Sequence, residues 1–259
     1  MSDLNNSPAP VPLPSFTPAE ITGCVIAAMP EEMAPMAEKL AAAGYQANEI
    51  PCPIATVTAY TRGAAERLLL AVTGIGFAAT AGCLGWLLAH YAPAAIISIG
   101  SAGGLAGDAA VREVVLGVGY RDGGADGTAF GYVRGQVPGQ PEFFQADPAL
   151  LAAASVVALD APELDEVIVR SGEVLSSDTF VTAANVGDMR EAFPAAVTAD
   201  MESYAAAHVA QQFGIPFISM RAISDLCAPP ADQAQQFHAE LAEVAELSAR
   251  TALATLARL

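Results

Sequence analysis

Two acidic residues lie at predicted ends of secondary-structure elements, where their carboxyl groups could transfer protons to or from a ligand. Glu202 lies at the start of an apolar helical pattern, Tyr204 to Phe213, which Gly214 ends. Asp225 follows an apolar run, residues 215–220, which predicts a strand. Because ligands of open α/β sheets bind beyond the carboxyl ends of strands, we expect both carboxylates at the opening of the same ligand pocket.

A third acid precedes them in the chain. The apolar run at residues 21–29 predicts a central strand, and Pro30 suits the first position of the helix that follows. Glu31 and Glu32 then occupy the first turn of this helix, which we expect to run towards Ala43. Each acid also has a purely structural interpretation, because acidic side chains stabilise the first turn of a helix or cap a turn.

The composition limits the classes of function. The 259 residues are 53% apolar, which predicts one large α/β domain at residues 21–259, preceded by a flexible Pro-rich tail at residues 1–20. The net charge of −17 argues against nucleic acid and anionic membranes as partners. The only lysine, Lys39, lies outside every glycine-rich loop, so no lysine is placed to grip a phosphate there.

Cysteine and histidine spacing predicts no metal site and no cofactor. The four cysteines form no Cys-x-x-Cys pair, and Cys24 and Cys83 lie in apolar runs typical of buried free thiols. Free thiols and the absence of a signal peptide favour the cytoplasm. Residues 68–107 carry no charge, but glycines divide them into pieces too short to span a membrane.

Apolar patterns predict further elements along the chain. The predicted strands are residues 55–60, 68–72, 94–99, 114–118, 166–170 and 173–175. The predicted helices are residues 78–90, 148–158 and 233–256, and residues 176–181 open another helical region. Residues 100–104 predict a glycine loop whose amides could approach a ligand, and residues 121–144 predict a long aromatic loop of functional or interface type.

Several motifs resemble those of 5′-methylthioadenosine/S-adenosylhomocysteine nucleosidases, of the purine nucleoside phosphorylase superfamily. The matching segments are residues 28–33, 74–76, 100–105, 128–132, 135–139, 177–181, 200–202 and 221–225, in the expected order. The resemblance implies an α/β, three-layer αβα sandwich with a central mixed sheet. It also implies a homodimer and a small-molecule nucleoside as the bound partner.

The resemblance implies catalytic roles for five residues. Asp225 would protonate the departing adenine, with Ser224 orienting it. Glu32 would activate a water molecule with help from Arg221. Glu202 would hold the ribose hydroxyls.

The resemblance also implies substrate-binding residues. Met201 would pack on the sugar, Phe180 would stack on adenine, the Val181 backbone would read the edge of the base, and Ile75 would line the alkylthio pocket. Residues that would close this pocket from the partner subunit are Phe130, Tyr132 and Pro138. Beside the resemblance, the glycine loop at residues 100–104 makes Ser101, Ala102 and Gly103 expected substrate-binding residues, because its backbone amides could approach a ligand.

The chemistry of glycosidic cleavage needs these residue types. Positive charge develops on the sugar and negative charge on the base, so an acid must neutralise the base while another group directs water. For Asp225 to donate a proton at neutral pH, its pKa must be raised by desolvation or by the like charges of Glu202 and Glu32. Water is favoured over phosphate because Arg221 is the only basic residue in the motifs near the cleavage site.

Three departures from the family pattern put substrate preference in question. Asp200 replaces the usual glutamate, Phe77 replaces a common lysine, and Pro30 interrupts an acidic run. The alternatives are another 5′-substituted adenosine as substrate (aminofutalosine or 5′-deoxyadenosine), a nucleoside phosphorylase, or a catalytically silent nucleoside-binding protein. The combination of Glu32, Glu202 and Asp225 argues against a silent binder.

Overall fold

A computed structural model of the chain describes residues 21–63, 66–161, 164, 166–229 and 232–259. The predicted Pro-rich tail lies outside these ranges. The helices are α1 (Pro30–Ala42), α2 (Phe77–His90), α3 (Pro148–Asp160), α4 (Met189–Ala192), α5 (Ser203–Phe213) and α6 (Gln233–Leu256), with a short 3-10 helix at Thr128–Phe130. Within the described ranges, no helix has both the length and the apolar character that crossing a membrane requires.

In the part of the chain that the structure describes, ten strands form one mixed sheet. They are β1 (Gly23–Ala27), β2 (Gln46–Ile50), β3 (Thr56–Arg62), β4 (Glu66–Val72), β5 (Ile96–Gly104), β6 (Val114–Asp122), β7 (Phe144–Gln145), β8 (Val169–Ser176), β9 (Ala196–Asp200) and β10 (Phe217–Asp225). Their order is β10-β6-β8-β9-β5-β1-β4-β3-β2, with β7 on β6. Because β10 also pairs with β5, the strands β5, β9, β8, β6 and β10 close into a ring.

The helices cover the sheet in two groups, which gives the predicted layered α/β fold with a mixed sheet. Helices α1 and α3 pack on α6, and α6 packs on β5 and β10. Helix α2 packs instead on α5. The residues of β1 are all buried, as their continuous apolar pattern predicts. Cys24 and Cys83 are buried free thiols, as predicted.

The predicted glycine loop at residues 100–104 is instead the end of β5. Gly103 and Gly104 pair with Ala199 and Thr198 of β9, and Gly103 also pairs with Asp225 of β10. Long-range pairing on both sides therefore overrides the local preference of glycine for a turn.

Two other local predictions are wrong for the same reason. The predicted break at Ser171-Gly172 does not occur, because both residues pair with β6 inside the single strand β8. Strand β10 extends beyond its apolar run to Asp225, which is the last strand residue rather than the first loop residue. Ser176 ends β8, residues 177–181 form an irregular segment with a bend, and the next helix is the one-turn α4.

Candidate active site

A partly open pocket lies where β5, β9 and β10 end, between α1 and α6. Most residues predicted for the site line it: Glu32, Ile75, Ser101, Ala102, Gly103, Phe180, Val181, Met201, Glu202, Arg221, Ser224 and Asp225. The three acids that are far apart in sequence therefore share one pocket.

Glu32 is held by four hydrogen-bond donors at the start of α1. Its Oε2 accepts from the backbone N–H groups of Ala28 and Met29, both at 3.1 Å. Its Oε1 accepts from the N–H of Ser101 at 2.8 Å and from the hydroxyl of Ser101 at 2.7 Å. The side chain is 1% exposed, so these bonds fix its position at the pocket wall.

Gly100 makes this position of Glu32 possible. Its φ of 128° lies in the region that favours glycine, and a Cβ there would stand 2.5 Å from Glu32 Oε1. A side chain at residue 100 would therefore displace the carboxylate.

Glu202 and Arg221 form a buried ion pair across the pocket. Arg221 Nη1 lies 3.0 Å from Glu202 Oε2, and Arg221 Nε lies 3.4 Å from Asp200 Oδ2. Glu202 Oε1 also accepts from the N–H of Gly76 at 2.9 Å. Arg221 was expected to assist Glu32, but its direct polar contacts are with Glu202, Asp200, the Ser101 carbonyl and the Ser98 hydroxyl.

Asp200 completes this buried group from the end of β9. Its carboxylate accepts from the hydroxyls of Ser176 and Ser203 and from the N–H of Glu202. The shorter aspartate therefore still reaches Arg221 while it ties the start of α5 to β8. This contact set explains how the departure from glutamate is accommodated.

Asp225 lies 1% exposed at the end of β10. Its Oδ2 accepts from the Ser224 hydroxyl at 3.1 Å, and its Oδ1 accepts from the N–H of Cys227 at 3.1 Å. Burial raises the pKa of Asp225, and the hydrogen bonds from Cys227 and Ser224 lower that pKa only in part. Of the two expected causes, desolvation raises this pKa and favours the protonated acid, whereas like charge from Glu202 and Glu32 does not figure in the shift.

Phe180 and Val181 follow β8 on another side of the pocket. Phe180 is 39% exposed and meets Phe237 edge to face at a centroid distance of 5.7 Å. Ile75 is 56% exposed at the rim, between the end of β4 and α2. The pocket wall is therefore apolar on one side of the three carboxyl groups, as a nucleobase and an alkyl substituent would require.

Phe237 and Cys227 are among the pocket-lining residues to which sequence reasoning gave no role in the site. Phe237 is an aromatic residue within the otherwise polar first turns of α6, which is a signal for an exposed site. Cys227 follows Asp225 by two positions, and its proximity in sequence was the only available signal.

Phe130, Tyr132 and Pro138 lie outside this pocket. Phe130 is 83% exposed on the 3-10 helix, and Tyr132 and Pro138 both lie beside Gly127. Their assignment to a partner subunit's pocket stays a prediction. No group of three or more metal-ligating side chains occurs in the described part of the chain.

The buried Glu202 gives a testable dependence of stability on pH. Burial raises its pKa from 4.5 to about 7, despite the opposing effect of Arg221. The folded protein therefore binds this proton more tightly than the unfolded chain, so the free energy of unfolding should fall as the pH rises from 4.5 to about 7. Denaturant titrations at pH 5 and pH 8 measure this fall in the free energy of unfolding. We expect the fall to be smaller by about 1–3 kcal/mol in Glu202→Gln than in the unaltered protein.

The exposed Glu191 provides the control. Glu191→Gln should leave the difference between the two pH values as it is in the unaltered protein. Equal differences in Glu202→Gln and the unaltered protein would show that the pKa of Glu202 is the same folded and unfolded.

Comparison with known proteins identifies the family. The model of the phosphorylase superfamily matches residues 22–259. The 5′-methylthioadenosine/S-adenosylhomocysteine nucleosidase of Neisseria meningitidis, solved with methylthio-immucillin-A, is 29% identical, with 92% of this chain and 99% of that chain covered and a TM-score of 0.84. The S-adenosylhomocysteine nucleosidase of Streptococcus pyogenes, solved with 5-methylthiotubericidin, is 30% identical, with coverages of 93% and 98% and a TM-score of 0.81.

The futalosine hydrolase of Helicobacter pylori shares the fold, with a TM-score of 0.84, 23% identity, and 93% of this chain and 99% of that chain covered. The family match extends over all of the predicted domain except its first residue, and the solved relatives match it from end to end. Since the motif order, the fold and the family model agree, the chain belongs to the phosphorylase superfamily.

Proposed function

We propose that the chain hydrolyses the N-glycosidic bond of 5′-methylthioadenosine and S-adenosylhomocysteine and releases adenine. It is an enzyme of the nucleosidase type, acting on adenosine-type substrates. The observation that carries the proposal is the convergence of Glu32, Glu202 and Asp225 in one pocket. A relative at 29% identity that is named for both substrates, and one at 30% identity that is named for S-adenosylhomocysteine, support the choice of substrate.

Asp225 is the acid on the base side of the scissile bond. Its raised pKa favours the protonated carboxyl, which can transfer its proton to the imidazole ring of the departing adenine. Ser224 orients the carboxyl through Oδ2. Neutralising the base in this way removes the negative charge that would otherwise develop on a poor leaving group.

Glu32 is the base on the water side. The four donors around its two oxygens hold the carboxylate against the pocket wall, so it can accept a proton from a water molecule without moving. The activated water then attacks the anomeric carbon as the bond to adenine breaks.

Glu202 binds the ribose hydroxyls, and its charge favours the cationic sugar of the transition state. Met201 packs on the sugar, Phe180 stacks on adenine, and the Val181 backbone reads the edge of the base. Ile75 and Phe237 give the 5′-substituent an apolar surface at the rim. The backbone of Ser101, Ala102 and Gly103 faces the bound nucleoside from β5.

The charge of the pocket favours water over phosphate. Apart from the protonated Asp225, its described lining contains the acids Glu32, Asp200 and Glu202, against Arg221 as the one basic residue. Arg221 already pairs with two of these acids. A phosphate dianion would therefore meet net negative charge with no unengaged cation to hold it.

A homodimer is part of the proposal. Phe130, Tyr132 and Pro138 lie outside the pocket of their own chain, and Phe130 is 83% exposed. A second copy that places this loop over the rim would shield the apolar substituent from water.

Four free cysteines support a reducing compartment such as the cytoplasm.

A panel of 5′-substituted adenosines tests the choice of substrate. We expect adenine release from methylthioadenosine and S-adenosylhomocysteine to exceed that from aminofutalosine and 5′-deoxyadenosine in kcat/KM by about tenfold or more, since each lost apolar contact costs about 1–3 kcal/mol. Chromatography with and without phosphate gives the rates and the sugar product. Preference for aminofutalosine or 5′-deoxyadenosine would reassign the substrate, and a rate that requires phosphate would make the protein a phosphorylase.

A further inference from the structure

The Asp225 carboxylate is held by the segment that follows it. Cys227 directs two donors at Asp225 Oδ1, its backbone N–H at 3.1 Å and its thiol at 3.6 Å. The other oxygen, Oδ2, accepts only from the neighbouring Ser224 hydroxyl among the bonds of the described residues. The orientation of Asp225 therefore depends on where the backbone places Cys227.

Cys227 has a backbone conformation that needs outside support. Its φ is 50°, in the left-handed region that residues with a side chain rarely adopt. The residue is completely buried, and a Cβ on Gly103 would collide with its sulfur. Interactions beyond the turn must therefore keep Cys227 in place.

Arg190 of α4 supplies such interactions. Its Nη2 donates to the carbonyl of Leu226 at 3.0 Å and to the carbonyl of Cys227 at 3.3 Å. Its Nε donates to the carbonyl of Leu105, just after β5, at 2.8 Å. One planar guanidinium thus joins the turn after β10 to the segment after β5.

We propose that Arg190 is a positioning residue for Asp225, because it fixes the Leu226–Cys227 turn and thereby keeps both Cys227 donors on Oδ1. The inference rests on the proposed function for the role of Asp225 as the acid. Arg190 does not line the pocket. It acts through Cys227 and does not touch the substrate.

The Cys227 thiol can serve as a donor at neutral pH. Burial and the charge of Asp225 raise the pKa of the thiol to about 12, and the nearby Arg190 opposes this only in part. The thiol is therefore protonated, and its hydrogen can point at the carboxylate. The donors at Oδ1 stabilise the ionised form of Asp225 against the effect of burial.

Two Arg190 variants and one control separate positioning from general stability. Arg190→Met removes the charge and the donors, whereas Arg190→Lys keeps the charge but lacks the fork that joins three carbonyls. Arg170→Met is the control, because Arg170 is a half-buried arginine that pairs with Asp108 and Glu113 away from the pocket.

The substrate-free readout is the titration of the Asp225 carboxyl, followed by ¹³C NMR and assigned with Asp225→Asn. We expect a higher pKa of Asp225 in both Arg190 variants, because donors to the ionised carboxylate are lost, and an unchanged pKa in Arg170→Met. The other ionisable groups that line the pocket are Glu32, Asp200, Glu202, Arg221 and Cys227, and all of them are retained in the Arg190 and Arg170 variants.

The kinetic readout is kcat for each folded active site. Both Arg190 variants should lose about 10- to 100-fold in kcat, since a small misplacement of a catalytic group has effects of this size. KM should stay within about threefold, because the contacts with the bound nucleoside are retained. The alkaline limb of the pH profile should move to higher pH with the pKa of Asp225.

Cys227→Ala keeps the backbone donor and removes the thiol. It should raise the pKa of Asp225 by less than the Arg190 variants do. If neither Arg190 variant folds, this variant decides, and an unchanged Asp225 titration in it overturns the proposal.

A folded Arg190→Lys variant with the original Asp225 titration and kcat also overturns the proposal. The titration needs no substrate, so it distinguishes the two claims. A protein that titrates as expected but cleaves no adenosine would contradict the proposed function alone.

Discussion

Asp225→Asn is expected to lower kcat for adenine release by about 10²–10⁴-fold, the usual contribution of a general acid. Asparagine keeps the shape of the side chain and can still accept from the N–H of Cys227 at Oδ1. It has no acidic proton to give to the departing base. The fold should survive, because no ion pair of Asp225 is lost and the group is already driven towards its neutral form by burial.

Stopped assays at several pH values, with adenine measured by chromatography, give this result. The residual activity should also lose its alkaline limb, which reflects loss of the Asp225 proton. Asp108→Asn is the control, since Asp108 is 78% exposed and pairs with Arg170 outside the pocket. Turnover near that of the unaltered enzyme in Asp225→Asn would remove Asp225 from the mechanism.

Glu32→Gln should have an effect of similar size on hydrolysis, about 10²–10⁴-fold, because an amide cannot take a proton from water. It also carries a structural cost. Each of the two Glu32 oxygens accepts two hydrogen bonds. In Glu32→Gln, the amide NH₂ group takes the place of one oxygen and must therefore face two hydrogen-bond donors. We expect a loss of about 1–3 kcal/mol in the free energy of unfolding.

The neighbouring Glu31 provides a matched control, because it lies in the same first turn of α1 but is exposed. Glu31→Gln should leave both turnover and stability close to those of the unaltered enzyme. Calorimetry with adenine should show that Glu32→Gln still binds the base. Hydrolysis at the original rate in Glu32→Gln would mean that water is activated by another group.

Local signals in the sequence were sufficient to predict the helices and the position of Glu202 just before α5. Proline at the start of α1 and the apolar spacing of α6 predicted both helices well, and α6 spans Gln233–Leu256 as expected. Glu202 is the residue before the first turn of α5, as its position ahead of the apolar pattern indicated. These features depend on residues within a few positions of each other.

Features that depend on distant pairing were missed. The glycines at the end of β5 are strand residues because β9 and β10 pair with this segment, and the Ser171-Gly172 step of β8 is extended because it pairs with β6. Strands β2 and β9 were not predicted. The polar character of β2, which is exposed at four of its five residues, conceals it.

The site shows the same contrast between features that the sequence predicts and features that depend on contacts between distant residues. The strand-end rule predicted that Glu202 and Asp225 share one site, and the resemblance to the nucleosidases added Glu32, but only one of the two expected causes of the raised pKa of Asp225 is present. Desolvation raises it, whereas the expected like charges do not figure. The Arg221 contacts with Glu202 and Asp200 and the Arg190 contact with the Cys227 turn are set by three-dimensional proximity alone.

The central claim is that a water molecule attacks the sugar in the pocket formed by these three acids. Cleavage of methylthioadenosine in H₂¹⁸O containing phosphate, followed by mass spectrometry of the sugar, tests it directly. We expect one ¹⁸O at the anomeric carbon of a free sugar, with no sugar phosphate. An unlabelled sugar 1-phosphate as the product would contradict the account.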